Sequence, residues 1–365
     1  MKALFVGDVS PTKTSAEYFK KGNVELLFGD TVRLFDGNDI NMVNLECALT
    51  EYPTKIAKIG PALKAPKETA ATLRTLGVNI CGVANNHFFD FGKVGANDTL
   101  EALQSEGLLS VGYGRNTEDA ARPLVIEKDG ERICLIAVCE HEYSYALEGR
   151  VGCNGFDPFE TPLAIREAKK NCDRVVVLYH GGKELCQYPS PRLRAACRAM
   201  AKSGADLILC QHSHCIGCYE KFEGCHILYG QGNFHFVREE GDEDLPEIWD
   251  SELAVKYDSK THEIEFIPTK ENGAGITLVK GEERERLLAE FEARNAQLLD
   301  GTWYDGWVSF CEENRESYTA AAVRLGALGE PKHYERFAHY LDCEAHLDVW
   351  MELFKTHNHR NERDY

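Results

Sequence analysis

The chain has 365 residues, enough for a full core and more than one typical domain of about 100–150 residues. Hydrophobic residues make up 43% and charged residues 27%, the balance of a soluble globular protein. The formal charge of −18 excludes a broad nucleic-acid or anionic-membrane surface, because neutralising phosphates needs clustered Lys and Arg.

In chain order, "KALFVGD" reads as a strand and "INMVNLECALT" as a second. "PKETAATLRTLG" predicts a helix leading into the strand "VNICGVANNH". "VGANDTLEALQSEG" predicts a helix capped by Asn97 or Asp98, before the short strand "LSVGYG". "LVIEKDGERICLIAVCE" reads as a hairpin turning at Asp129-Gly130. Helix "PLAIREAKKNC" precedes strand "DRVVVLYHGG", helix "PRLRAACRAMAKSG" precedes "ADLILCQHSH", and "CHILYGQGNFHF" follows. Residues 238–250 form an acidic loop, and "SELAVKYDSKTHEIEFIPTK" a closing hairpin. Strand–helix alternation predicts an α/β fold with a parallel-rich sheet. From about residue 280 to His357 three segments have helical periodicity, so the chain divides into an α/β domain over 1–270 and a helical extension over 271–365 packed on it.

No stretch reaches the roughly 20 apolar residues that cross a bilayer, and "MKALFVGDVS" is too short in its apolar part for a signal peptide. The 14 cysteines lie inside apolar or helical patterns, the distribution of reduced thiols. A cytoplasmic protein without membrane insertion is expected.

Metal-ligand side chains recur where strands end: Asp8 after "LFVG", Glu46 after "MVNL", Asn86-His87 after "ICGVAN", His180 after "VVVLY", and His212 and His214 after "LILCQ". In an open α/β sheet these carboxyl ends converge on one crevice. Carboxylate, amide and imidazole ligands together suit one or two divalent ions of Mn, Zn or Fe. Singly, each has an ordinary explanation. Asp8 could cap a helix, Asn85-Asn86 could form a turn, and His180 could be a core histidine. If extended, His212 and His214 project to one side, as chelation by one cluster needs. Lys183, Glu184 and Tyr188 follow His180 in a glycine-opened loop and are candidates for substrate contact, as are Lys64 in "GPALKAP" and Asn233 in "GQGNF". Asp90 could orient an imidazole or stabilise the turn before Gly92. Arg115 has no assignment.

The motifs "GD" at 7–8, "NLE" at 44–46, "ANNHFFDFG" at 84–92, "HGGKE" at 180–184, "YP" at 188–189, "GAD" at 204–206, "HSH" at 212–214 and "YGQGNFHF" at 229–236 occur in one order. Over residues 1 to about 270 the chain resembles the capsule-synthesis CapA family, associated with poly-γ-glutamate capsules, within the calcineurin-like metallophosphoesterase superfamily. The resemblance implies a metallophosphoesterase-like two-sheet αββα sandwich carrying a dinuclear site. By motif, Asp8 and His214 would hold one metal, Asn86, His180 and His212 the other, and Glu46 would bridge. His87 would be the acid or electrostatic partner of the leaving group. One departure is the opening Asp8-Val9-Ser10, where the superfamily has Asp-x-His; another is Cys210-Gln211 before the last pair, in place of Gly-His. The implied chemistry is hydrolysis of an anionic small-molecule or polymer substrate: two cations about 3.5–4 Å apart hold an attacking hydroxide. An amide hydrolase or transferase acting on γ-glutamyl substrates, and a non-catalytic assembly component with a structural site, are the alternatives.

Overall fold

The computed structural model describes residues 1–140, 143–328 and 330–355. Its centre is two sheets. One runs Gly275–Leu278, Glu263–Asn272, Ser251–Asp258, Lys2–Val9, Ile40–Leu45, Ile80–Gly82 and Leu109–Val111, with Asn233–His235 also paired to Lys2–Val9. The other runs Tyr219–Phe222, Cys225–Leu228, Leu207–Gln211, Arg174–His180, Glu131–Cys139 and Leu124–Lys128. The first sheet is parallel from Lys2–Val9 to its Leu109–Val111 edge and antiparallel on the other side of Lys2–Val9; the six-stranded sheet is parallel in its middle and antiparallel at both edges.

Period-two alternation assembles the layers. Ile133, Leu135, Val176, Leu178, Leu207 and Leu209 share one core with Leu4, Phe5 and Val43 of the opposite sheet. The residues between them, Cys134, Ile136, Val175, Val177 and Ile208, pack instead with Ile165, Leu193, Cys197 and Met200. Those partners lie on the helices Glu160–Asn171 and Pro191–Lys202. Strands covered on both faces must be apolar throughout, which is why "VVVLY" shows no polar alternation. The architecture is the expected two-sheet αββα sandwich.

The hairpin turns at Asp129-Gly130, both with positive φ (52° and 78°). Three local expectations change. The helix Gly92–Ser105 starts at Phe91, so Asn97 and Asp98 lie inside it and cap nothing; Asp98 instead binds Lys67 and Thr50. The sheet extends past residue 270, because Gly275–Leu278 pairs with Glu263–Asn272, and the C-terminal helices begin at Gly281, where the helical period starts in the sequence. Helices Lys13–Lys20 and Val24–Phe28 were not anticipated, being too short for a clear period.

The C-terminal helices are Gly281–Asp300, Trp303–Glu313, Arg315–Leu328, Pro331–Asp342 and Glu344–Leu353. Their Trp303, Trp307, Cys311, Val349 and Leu353 join the core beneath the six-stranded sheet. Thr356 and His357, the end of the last predicted helix, lie outside the described residues. Among the described residues no helix is long and apolar enough to cross a membrane.

The strand Lys2–Val9 sets the position of Asp8, whose register partners are Asn44 and Asn233. Gly7 lets it approach. A Cβ there would lie 2.1 Å from the Gly232 carbonyl oxygen and 2.7 Å from Glu252 Oε2. Gly7→Ala is therefore expected to cost about 1–3 kcal/mol by overpacking. Chemical denaturation checks this; an unchanged midpoint would show that the strand can shift freely.

Candidate metal centre

The parallel strand ends deliver six side chains to one place. Asp8, Glu46, His180, His212 and His214 are all buried. Ligand atoms of Asp8, Glu46 and His180 lie within 4.8 Å of one another, as do those of Glu46, His212 and His214. Glu46 belongs to both groups. His180 Nε2 stands 3.2 Å from Glu46 Oε1 and 2.8 Å from Asn86 Oδ1, which brings Asn86 in. His214 Nδ1 is 3.5 Å from Asp8 Oδ2, and its Nε2 is 3.9 Å from Glu46 Oε1. The triplets group His180 with Asp8 and His212 with His214, while the His214–Asp8 and His180–Asn86 approaches are the pairs that the resemblance places on one metal each.

The histidine pair is not extended. His212 and His214 have φ of 83° and 52°, left-handed values that a β-carbon disfavours. A turn after Gln211, rather than strand alternation, swings both rings toward Glu46. The backbone N–H of His212 donates to Asp8 Oδ2 (3.1 Å), which anchors that turn.

Neighbouring amides orient the ligands. Asn44 Nδ2 lies 2.7 Å from Asp8 Oδ1 and 3.0 Å from His180 Nδ1. Asn85 binds the Leu45 carbonyl and accepts from the N–H groups of His87 and Phe88. Asn233 Oδ1 lies 2.9 Å from His214 Nδ1, and Trp249 packs on that ring with centroids 4.6 Å apart.

Burial and the Glu46 charge push Asp8 up to about 6. Burial also opposes ionisation of Glu46, but His214 and His180 outweigh it and hold this carboxyl well below its usual range. For His214, Glu46 and Asp8 overcome the burial and raise its pKa, whereas burial takes His212 down to about 4. Among the described residues neither Glu46 oxygen, both buried, has a well-aligned hydrogen bond, close as His180 Nε2 stands to Oε1. A buried carboxylate in that state is costly unless a cation completes it. Carboxylates, imidazoles and an amide fit a borderline divalent ion.

His87 sits beside the cluster. Its Nδ1 is 2.7 Å from Asp90 Oδ2; Asp90 also accepts from Lys58 Nζ (2.6 Å) and the Leu63 N–H (2.7 Å). Burial and the Lys58 charge lower the His87 pKa. Asp90 thus orients His87 rather than a ligand imidazole.

A cavity of about 360 Å³ adjoins the cluster through Asn86, His87 and His212, and Lys183 and Glu184 line it as well. The remaining substrate candidates are elsewhere. Tyr188 donates to Gln297 Oε1 (2.8 Å) and packs against the C-terminal helices, which draw it from the site. Lys64 is exposed, binds the Tyr52 carbonyl and lies over Phe91. Asn233 is committed to His214 and the Trp249 carbonyl. Lys58, Asn44 and the residues of the C-terminal helices escaped the sequence reading. Asn44 carried a signal, its place two residues before Glu46 in a strand; Lys58 carried none. A larger cleft of about 890 Å³, bordered by Lys2, Lys256 and His262, contains neither triplet. Cys210 and Cys215 take no part: Cys210 meets Cys197 (Sγ–Sγ 3.7 Å), and burial pushes Cys215 up to about 12. Cys210 and Cys215 are both free thiols.

The model of a family described as bacterial capsule synthesis protein PGA_cap matches residues 2–238. Similar proteins include the PGA biosynthesis protein CapA of Bacillus subtilis (strain 168), 30% identical over 240 residues, 65% of this chain and 63% of that one. The capsule biosynthesis protein CapA of Bacillus anthracis is 31% identical over 180 residues, 48% and 44% of the two chains. The chain spans less than two thirds of the length of these curated relatives. Among solved structures, a putative 5'-nucleotidase from Staphylococcus aureus in complex with alpha-ketoglutarate has a TM-score of 0.44 and 14% identity, covering 80% of this chain and 58% of that one. With its motifs, sandwich and matched span together, the chain belongs to the bacterial capsule synthesis protein PGA_cap family.

Proposed function

We propose that the chain is a metal-dependent hydrolase of an anionic phosphoester. In this reading Asp8, Glu46, Asn86, His180, His212 and His214 hold one or two divalent cations. The observation that carries it is Glu46, shared by two triplets, with neither buried oxygen well hydrogen-bonded among the described residues. Bound divalent cations supply Lewis-acid activation of water and neutralise charge on phosphoryl oxygens. The protein's part is position and proton control. Asn233 accepts from His214 Nδ1–H, which leaves Nε2, the nitrogen facing Glu46, with its lone pair. Asp90 holds His87 by Nδ1, so Nε2 is the atom left to meet the leaving oxygen. Lys58 holds Asp90 in turn and fixes the ring. A second substrate class on the same residues is a γ-glutamyl amide, in keeping with relatives named for PGA biosynthesis and polyglutamine synthesis.

Purified protein stripped of metal and refilled with Mn²⁺, Zn²⁺ or Fe²⁺ is the test, with phosphate and amine release followed side by side. Turnover of a generic phosphoester is expected only with a cation. His87→Ala should lower kcat about 10²–10⁴-fold, and Asn86→Ala should weaken metal binding. Turnover indifferent to chelation and to both substitutions would sink the reading.

A further inference from the structure

The geometry points to a substrate with a second anionic group, gripped by Lys183 and Arg336, so that the C-terminal helices select what the metal cluster receives. This deepens the hydrolase reading and rests on it. The roof of the 360 Å³ cavity comes from helices outside the family-matched span: Arg336 and His339 from Pro331–Asp342, and His346 from Glu344–Leu353. The roof is tied down. His339 stacks on Tyr143 (centroids 5.6 Å apart), whose hydroxyl accepts from the Ile59 N–H (3.2 Å). Ile59 follows Lys58, which borders the same cavity. His346 is held through Nδ1 by the Tyr318 hydroxyl (2.6 Å).

The charges around this cavity run against the chain as a whole. In a protein of formal charge −18, Lys58, Lys183 and Arg336 line it with, among the described residues, a single carboxylate, Glu184. Lys58 is spent on Asp90. Among the described residues neither Lys183 nor Arg336 has a carboxylate within ion-pair distance, although acidic residues outnumber basic ones 59 to 41. Lys183 acts on the adjacent Glu184 at longer range, but a guanidinium and an ammonium without a direct ion pair beside a cavity match a carboxylate or phosphate. A cavity of this size takes a small molecule or a chain end, not a length of polymer. One anionic group reacts at the cluster; the other lies toward Lys183 and Arg336.

The test uses two non-hydrolysable phosphonates, 4-phosphonobutyrate and butylphosphonate, which differ in a terminal carboxylate. Calorimetric titration into the full, Mn²⁺-loaded chain reads binding without turnover. The native chain should bind 4-phosphonobutyrate at least tenfold more tightly. Arg336→Ala should bring the two affinities to within about twofold, and Arg336→Lys should restore part of the preference. Arg336 is exposed, so the folded state should survive both changes. Equal affinities in the native chain, or a preference unchanged in Arg336→Ala, would overturn this inference and leave the hydrolase reading standing. Binding of neither phosphonate would overturn both.

Discussion

Glu46→Gln is expected to abolish the rise in melting temperature that Mn²⁺ gives the native chain, and to cut phosphoester turnover by about 10³-fold or more. Glutamine keeps the size of the side chain but removes its charge and replaces one acceptor by a donor. Glu46 is the one residue common to both triplets, so its loss weakens every cation the cluster can hold. At a cation concentration a thousand times its dissociation constant, binding adds about 4 kcal/mol of stability. Spread over 365 residues at about 2.1 cal/mol/K each, that is a rise of roughly 5 °C. The rate loss follows from about 4 kcal/mol of lost charge stabilisation in the transition state. Melting curves with and without Mn²⁺ measure the first effect and phosphate release the second. A variant that keeps the full Mn²⁺ shift would remove Glu46 from the ligand set.

Glu140→Ala is expected to destabilise the protein by about 3 kcal/mol. Glu140 is buried just beyond the strand Glu131–Cys139 and pairs with Arg192 at 2.6 Å. It also accepts from the Tyr179 hydroxyl and from the Gly182 N–H (2.8 Å). Arg192 continues to Asp348 (3.0 Å), which accepts from Ser190 Oγ (2.6 Å). Breaking a buried pair by removing one partner costs about 3–5 kcal/mol. The lower end applies because Arg192 is one third exposed and keeps Asp348. Glu140→Gln, which retains an acceptor, should lose less. Urea unfolding measures both, and an unchanged midpoint in Glu140→Ala would refute the account. The same network joins the loop after His180 to the helix bearing His346, so loss of stability and loss of substrate affinity should appear together.

The site's ingredients were legible because parallel strands impose a rule. Whatever follows "LFVG", "MVNL", "VVVLY" and "LILCQ" must emerge at one edge, and period two decides which neighbours face the opposite sheet. Loops obey no such rule. Tyr188 shares a loop with Lys183, and Lys64 was a candidate from a separate loop, yet packing drew Tyr188 to Gln297 and left Lys64 over Phe91. The left-handed turn at His212 and His214 was equally hidden, since only glycine and asparagine advertise such a φ. Here the anchor on Asp8, far away in sequence, holds it.

By itself the sequence determined an α/β fold with a parallel-rich sheet, the identity of the strand-end ligand types and the helical nature of the C-terminal segment, which follow from local hydrophobic period and chain order; the two-sheet αββα sandwich followed from the family resemblance carried by its motifs. Only the tertiary structure decided that a left-handed turn swings His212 and His214 toward Glu46, that Lys58 and Asp90 hold His87, and that Arg336 and His346 overlook the same cavity. Those relations depend on distances between segments up to three hundred residues apart. A helix's period states which face is apolar, but packing against the six-stranded sheet alone settles where its polar face comes to rest.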